Sequence, residues 1–227
     1  MKKYLLLFLL FIQYNSFACP SCNKELNDEI YNDSYYSNIF ITLSAFIVLG
    51  VILILLVFLS SRNYQASIKA NPDSKNRTPV PLVSTAMILG IGLGGFIDGI
   101  VLHQILQWHE MLSNKISAAD FIGKSINMYW DGIFHAFCFA VVLTGTVLLW
   151  KLLGREDIDR SGKLLAGGLL AGWGLFNVVE GIINHHILKL HNVQEVSLQH
   201  DLGNYLFLIV SFFMMLSGYV LIKKRSL

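Results

Sequence analysis

Five apolar runs govern what this chain can fold into. Each is close to the 20 or so residues that a helix needs to cross about 30 Å of hydrocarbon. They cover about residues 38–60, 82–106, 132–151, 164–188 and 203–222. In lipid, backbone polar groups must be satisfied within their own segment or a closed barrel, so apolar runs of this length predict an all-α polytopic bundle. Composition agrees: 54% of the 227 residues are hydrophobic and 14% are charged, against roughly 25% charged in a soluble domain. A net charge of +2 is too small to suggest a nucleic-acid partner, and three cysteines are too few for a disulfide scaffold.

The first apolar stretch is of another kind. Lys2 and Lys3 precede Tyr4 to Ile12, and Ser16-Phe17-Ala18 follows after a short polar segment. A basic start, a short apolar centre and small residues at −3 and −1 predict a signal peptide over residues 1–18, cleaved after Ala18. A lipoprotein signal ending at Cys19 and a poorly formed extra span are the competing readings. Residues 19–37 then form an outer segment holding Cys19-Pro20-Ser21-Cys22, a C-x-x-C open to metal binding, thiol exchange or a local disulfide. Residues 38–60 lack ionisable groups and read as a lipid-facing anchor. Residues 61–81, with Pro72, Pro79 and Pro81, read as a polar connector. A four-span domain over 82–222 and a short tail, 223–227, complete the order.

Basic residues orient the spans. Eleven of the 17 fall on one side of a five-span arrangement: Arg62, Lys69, Lys75 and Arg77, then Lys151, Arg155, Arg160 and Lys163, then Lys223, Lys224 and Arg225. Two more belong to the signal peptide, and Lys24, Lys115, Lys124 and Lys189 fall opposite. The mature N-terminus is therefore expected outside a bacterial inner membrane and the C-terminus inside, with the lipid bilayer as the first partner.

Residues 82–109 align without gaps to 164–191, with ten of 28 positions identical. The shared pattern is [D/E]-G-I-x-x-H-x-I-L-x-x-H, pairing Asp98 with Glu180, His103 with His185 and His109 with His191. The glycines Gly90/Gly172 and Gly92/Gly174 suit close helix packing. Each unit is followed by a span that opens with Asp: Asp131 in one half and Asp201 in the other. Two tandem helix-pair repeats are expected, related by an axis along the membrane normal.

All seven histidines fall on the outer side: His103, His109, His135, His185, His186, His191 and His200. Asp98 and Glu180 sit deeper, where a charge costs at least about 2.5–3.5 kcal/mol and calls for a partner or a purpose. At 100° and 1.5 Å per residue, His103 lies about 140° around from Asp98 and about 7.5 Å further out, so no single α-helix assembles a site from its own residues. Asp131 and His135 share a face of the third span. The expected cluster is His103, His135, His185 and His186, with Asp98 or Glu180 beneath and Asp131 above. His109, His191 and His200 form an outer layer at the water interface. Imidazole with carboxylate suits copper(II), zinc or iron, with Cys19 and Cys22 as possible accessory thiols. Cys138, inside a span, reads as a small core residue.

At Gly94-Gly95-Phe96-Ile97-Asp98-Gly99, His103 to His109, Asp131 to His135, and Phe176-Asn177 through Glu180-Gly181 to His185-His186 and His191, the chain resembles the bacterial predicted-membrane-protein family catalogued as domain-of-unknown-function family 2243, over about residues 82–222. The resemblance implies a compact four-helix membrane domain. It associates the chain with copper handling and terminal-oxidase assembly, and so with a periplasmic metal carrier or a respiratory oxidase as partner. Four functions follow as expectations: a transition-metal-binding protein with a periplasm-facing site, a metalloenzyme acting on a lipid or quinone with Asp98 or Glu180 as base, a haem-binding electron-transfer protein, and a structural assembly factor.

Overall fold

Helices need start signals as well as apolar content, and the loops of this chain supply them. Pro79 and Pro81 open one helix, where a missing N–H costs nothing. Asp120 caps another by accepting from the Gly123 N–H (2.8 Å). Ser161 caps a third by accepting from Lys163 N–H (3.3 Å). In the computed structural model, which describes residue 28, residues 33–70 and residues 77–224, these elements are α1 (Asp33–Ala70), α2 (Val80–Ile97), α3 (Phe121–Leu153), α4 (Gly162–Glu180) and α5 (His200–Lys223). All five are long and apolar enough to cross a membrane. Among the described residues the only strand-like pairing is a lone bridge between Thr78 and Ile158. Residues 1–18, expected to be a signal peptide, and Cys19, Cys22 and Arg225 lie outside the described residues.

α2 and α4 form the centre, packed on one another, with α3 against α2, α5 against α4, and α1 along the outside of α2. The shares of the spans that are buried show this order: 61% and 50% for those of α2 and α4, against 22%, 17% and 11% for those of α1, α3 and α5. The outward surfaces of α1, α3 and α5 are large apolar side chains such as Phe58, Phe139 and Phe213, which only lipid solvates cheaply.

Glycine sets how close the central pair comes. A Cβ on Gly90 would stand 2.2 Å from the Leu169 carbonyl oxygen, and one on Gly172 would stand 2.2 Å from that of Met87. Both pairs are linked by the same spacing, since Gly172 and Leu169 lie 82 residues after Gly90 and Met87. Gly92 meets Val142 of α3 and Gly174 meets Met215 of α5; Gly145 meets Leu89 and Gly218 meets Ala171. These contacts recur at an offset of 82 between α2 and α4, and of 73 between α3 and α5.

Three departures from the sequence reading bear on the site. α3 starts at Phe121 rather than 132, because Asp120 caps it and Asn127 ties the preceding loop down by accepting from Leu112 N–H (2.8 Å). Asp131 is therefore deep in α3 rather than at its mouth. α1 is more than an anchor: Thr42 is buried and donates to Asn184 Oδ1 (2.7 Å), and Phe46 stacks on Phe176. Finally, α2 and α4 do not end as α-helices. Asp98–Ile105 and Gly181–Ile187 are wound as π-helix.

The glycine contacts make a direct prediction. Gly90→Ala and Gly172→Ala force a shift against backbone and lower stability by about 1–3 kcal/mol, read as a lowered Tm in detergent. Gly50→Ala, with open space around it, leaves Tm unchanged or raises it. Equal effects at all three positions would remove the close approach as the cause.

Candidate metal centre

An α-helix places residues five apart on different faces; a π-helical stretch brings them back into line. The expectation that no single α-helix assembles a site from its own residues assumes 100° per residue; the π winding instead brings each carboxylate to the first histidine of its own segment. His103 Nε2 lies 3.2 Å from Asp98 Oδ2, and His185 Nε2 lies 3.2 Å from Glu180 Oε1. Beyond each π-helical stretch the chain turns sharply at a non-glycine residue in the left-handed region, Gln107 (φ 50°) and Lys189 (φ 50°), again 82 apart. The turns carry His109 and His191 back into the bundle, where they are 3% and 1% exposed. The expected outer layer of these two residues is thus the middle of the cluster.

Four imidazoles pack together: His103, His109, His185 and His191, five of their six ring pairs having centroids 4.4–6.2 Å apart. The outer nitrogens of three are bonded. His103 Nδ1 faces Asp131 Oδ1 (2.9 Å), His109 Nδ1 donates to the Val193 carbonyl (2.9 Å) and His191 Nδ1 to the Met111 carbonyl (3.0 Å). Val193 lies 82 residues after Met111, so the two loops exchange equivalent bonds. Bonding at Nδ1 fixes each ring and presents Nε2 to the interior, the pattern of imidazoles that ligate metals. The Nε2 atoms of His103 and His109, both ring nitrogens of His185, and Glu180 Oε2 are buried without a hydrogen-bond partner. His191 Nε2 lies 2.9 Å from Glu180 Oε1.

Two donor sets have the reach of one ion: His103, His109 and His191, and Glu180, His185 and His191, the donors within each set lying within 4.8 Å of one another. Around an ion bound at about 2.0–2.1 Å, neighbouring donors stand about 3–3.4 Å apart. The 3.2 Å separations of His103 from Asp98 and of His185 from Glu180 are of that size, and neither is aligned as a hydrogen bond.

Other expected residues stand apart. His135 binds its own helix through Nδ1 and the Asp131 carbonyl (2.6 Å), and its ring lies against Gly99 and Phe96. His186 bonds the Gly181 carbonyl (2.9 Å) and packs near Tyr205. His200 bonds the Gln194 carbonyl (3.0 Å). Asp131 also accepts from Met111 N–H (3.0 Å); the corresponding Val193 N–H donates to Asn204 Oδ1 (3.0 Å). Asn204, rather than the exposed Asp201, therefore occupies the position equivalent to Asp131. Asn184, which donates to Glu180 Oε1 (3.3 Å), and the two loop carbonyls have no sequence signature that separates them from their neighbours. Cys138 is buried.

A cavity of about 390 Å³ at the loop end is lined by Trp108, His109, Glu110, Ser113 and Glu195 among others, so His109 borders both this cavity and the cluster. Glu110 pairs with Lys124, and Glu195 Oε1 accepts from Ser113 (3.0 Å) and from Asn192 N–H (2.9 Å).

The chain belongs to the family described as predicted membrane protein (DUF2243), whose model matches residues 85–225. No curated protein and no solved structure matches it. The protein is thus a helical membrane protein of that family, with buried His, Asp and Glu groups able to hold a metal ion.

Burial first, then the adjacent His191 and His103, holds the His109 imidazole well below its usual value of 6.5. It is therefore neutral, as a ligand must be. In metal-free protein the unfolded chain takes up a proton that native His109 does not, so this residue's contribution makes stability fall as pH drops below about 6.5. His109→Gln removes up to about 1.4 kcal/mol per pH unit from that slope. Unfolding of chelator-treated protein between pH 7.5 and 5 measures it, and an unchanged slope would show that native His109 is charged.

Proposed function

We propose that the protein binds a transition metal at the four-histidine, two-carboxylate cluster, and holds or hands over that metal on the periplasmic side of a bacterial inner membrane. The observation that carries this reading is the set of buried imidazole nitrogens that have no hydrogen-bond partner and stand beside carboxylates at ligand–ligand spacing. A polar network that merely glued helices would pair these atoms, since each buried unpaired group costs about 1–3 kcal/mol. A porphyrin fits less well, because the rings that would be its axial ligands pack on each other and on Phe134 and Phe207. Imidazole-rich donors and the order of divalent affinities put copper first, with zinc and iron next. The skew of basic residues supports a periplasmic opening, and the loop-side cavity beside His109 supports exchange of metal with a periplasmic carrier or a respiratory oxidase. Cys19 and Cys22 are accessory thiols in this reading.

Elemental analysis of detergent-purified protein reconstituted with copper, zinc or iron tests it. At least one ion per chain is expected in the wild type, falling to background in a folded His103→Ala/His185→Ala variant. No stoichiometric metal under any of these conditions overturns the reading. Asp131→Asn, which removes the charge orienting His103 and leaves an amide oxygen able to accept from Met111 N–H, should keep the stoichiometry at saturating metal while weakening affinity by about 10–100-fold.

A further inference from the structure

We infer that the centre is dinuclear, with one ion on Asp98, His103 and His109 and a second on Glu180, His185 and His191. The inference rests on the metal-binding reading above and deepens it.

The number and spread of the donors come first. Four imidazoles and two carboxylates are six protein donors, where a tetrahedral ion takes four. The donor sets compact enough for one ion are His103, His109 and His191, and Glu180, His185 and His191; they share His191, and Asp98 adjoins the first through His103 (3.2 Å). Donors on opposite sides of an ion bound at about 2.1 Å are about 4.2 Å apart, so an ion seated against one set leaves most of the other unused.

The donors also recur. Each central segment supplies a carboxylate, a histidine five residues on and another eleven residues on: 98, 103 and 109 in one, 180, 185 and 191 in the other. The same π-helical winding brings the first pair together in each segment, and the same left-handed turn returns the third residue. Two triads alike in sequence across a pseudo-two-fold contact between α2 and α4 make two half-sites, the Glu180 triad being the one whose donors all lie within 4.8 Å of one another. Three protein donors apiece leave each ion an open coordination position, which a shared exogenous ligand can fill.

Charge is the third argument. Among the described residues, Asp98, Asp131 and Glu180 have only histidines within ion-pair distance. With the imidazoles neutral the three carboxylates carry −3; one divalent ion leaves −1 and two leave +1. A second ion therefore costs no more in net buried charge than the first leaves behind.

Copper(II) is the probe, because it ranks highest in affinity among the divalent first-row ions. A Cys22→Ser background removes the C-x-x-C pair as a competing chelator. Two copper ions per full-length chain are expected at saturation. X-ray absorption should show a copper–copper distance of about 3.5–4 Å, and the paramagnetic signal should be suppressed by coupling. Asp98→Asn/His103→Ala and Glu180→Gln/His185→Ala should each retain one ion and restore the signal of isolated copper(II). One ion per wild-type chain, with no copper–copper scattering, overturns the dinuclear assignment and leaves metal binding standing. No ion at all overturns both. The wild-type stoichiometry and scattering decide the matter even where a half-site variant fails to fold.

Discussion

Three carboxylates buried among lipid-solvated helices, with no lysine or arginine at ion-pair distance among the described residues, are the constraint on which the rest of this structure turns. A charge at that depth is costly, so Asp98, Asp131 and Glu180 need partners; the fold sets imidazoles beside them, and a cation bound between carboxylate and imidazole would offset their charge. The π-helical ends of α2 and α4 follow from this need, since they bring His103 and His185 beside the carboxylates. The left-handed turns at Gln107 and Lys189 follow as well. A loop that continued outward would leave His109 and His191 in water and the carboxylates half-satisfied.

The cluster also depends on how closely α2 and α4 pack. Their π-helical ends share one cluster because Gly90 and Gly172 let each helix meet the other's backbone. A wider separation would pull the two pairs apart and open the interior to water. Each loop then ties down a histidine of the opposite half, His109 on Val193 and His191 on Met111. The halves are laced at their loop end and wedged together at the glycines, so rotating the ring of His109 or His191 must break a bond to the other half. This makes the imidazoles pre-organised donors, and it links the stability of the bundle to the geometry of the site.

Helix number, the two central segments and the residue types of the cluster were legible in the sequence. Period and span length mark the helices, and a carboxylate followed by two histidines, repeated, stands out against apolar neighbours. Legibility failed where ideal α geometry was assumed. At 100° per residue Asp98 and His103 face apart; the π winding that joins them goes with the tertiary pairing of the buried carboxylates and imidazoles, which local propensity does not report. His109 and His191 pass for interfacial side chains because a turn with positive φ at Gln107 or Lys189 carries no glycine to announce it. Thr42 and Asn184 meet from helices 142 residues apart in sequence, and no spacing rule connects them.

The two halves match in their central segments but differ in the helices that support them. At the 73-residue offset Asp131 faces Asn204, His135 faces Leu208 and Cys138 faces Ser211. Gly99 accordingly packs on the His135 ring, and Gly181 on Leu208. The consequence is electronic as well as steric. His103 has a carboxylate on its Nδ1, which makes its Nε2 a stronger donor, whereas His185 has no hydrogen-bond partner at Nδ1. Glu180 instead accepts from Asn184, itself bonded to Thr42 of α1. Ligands duplicated in kind are thus placed in unlike surroundings: the Asp98 side is the more electron-rich, and the Glu180 side is the more firmly held through α1. Two ions bound there would differ in affinity and in the ease with which they leave, so the first to load and the first to be released need not be the same ion. With two ions bound, that inequality would give the two similar halves a direction in which metal could pass.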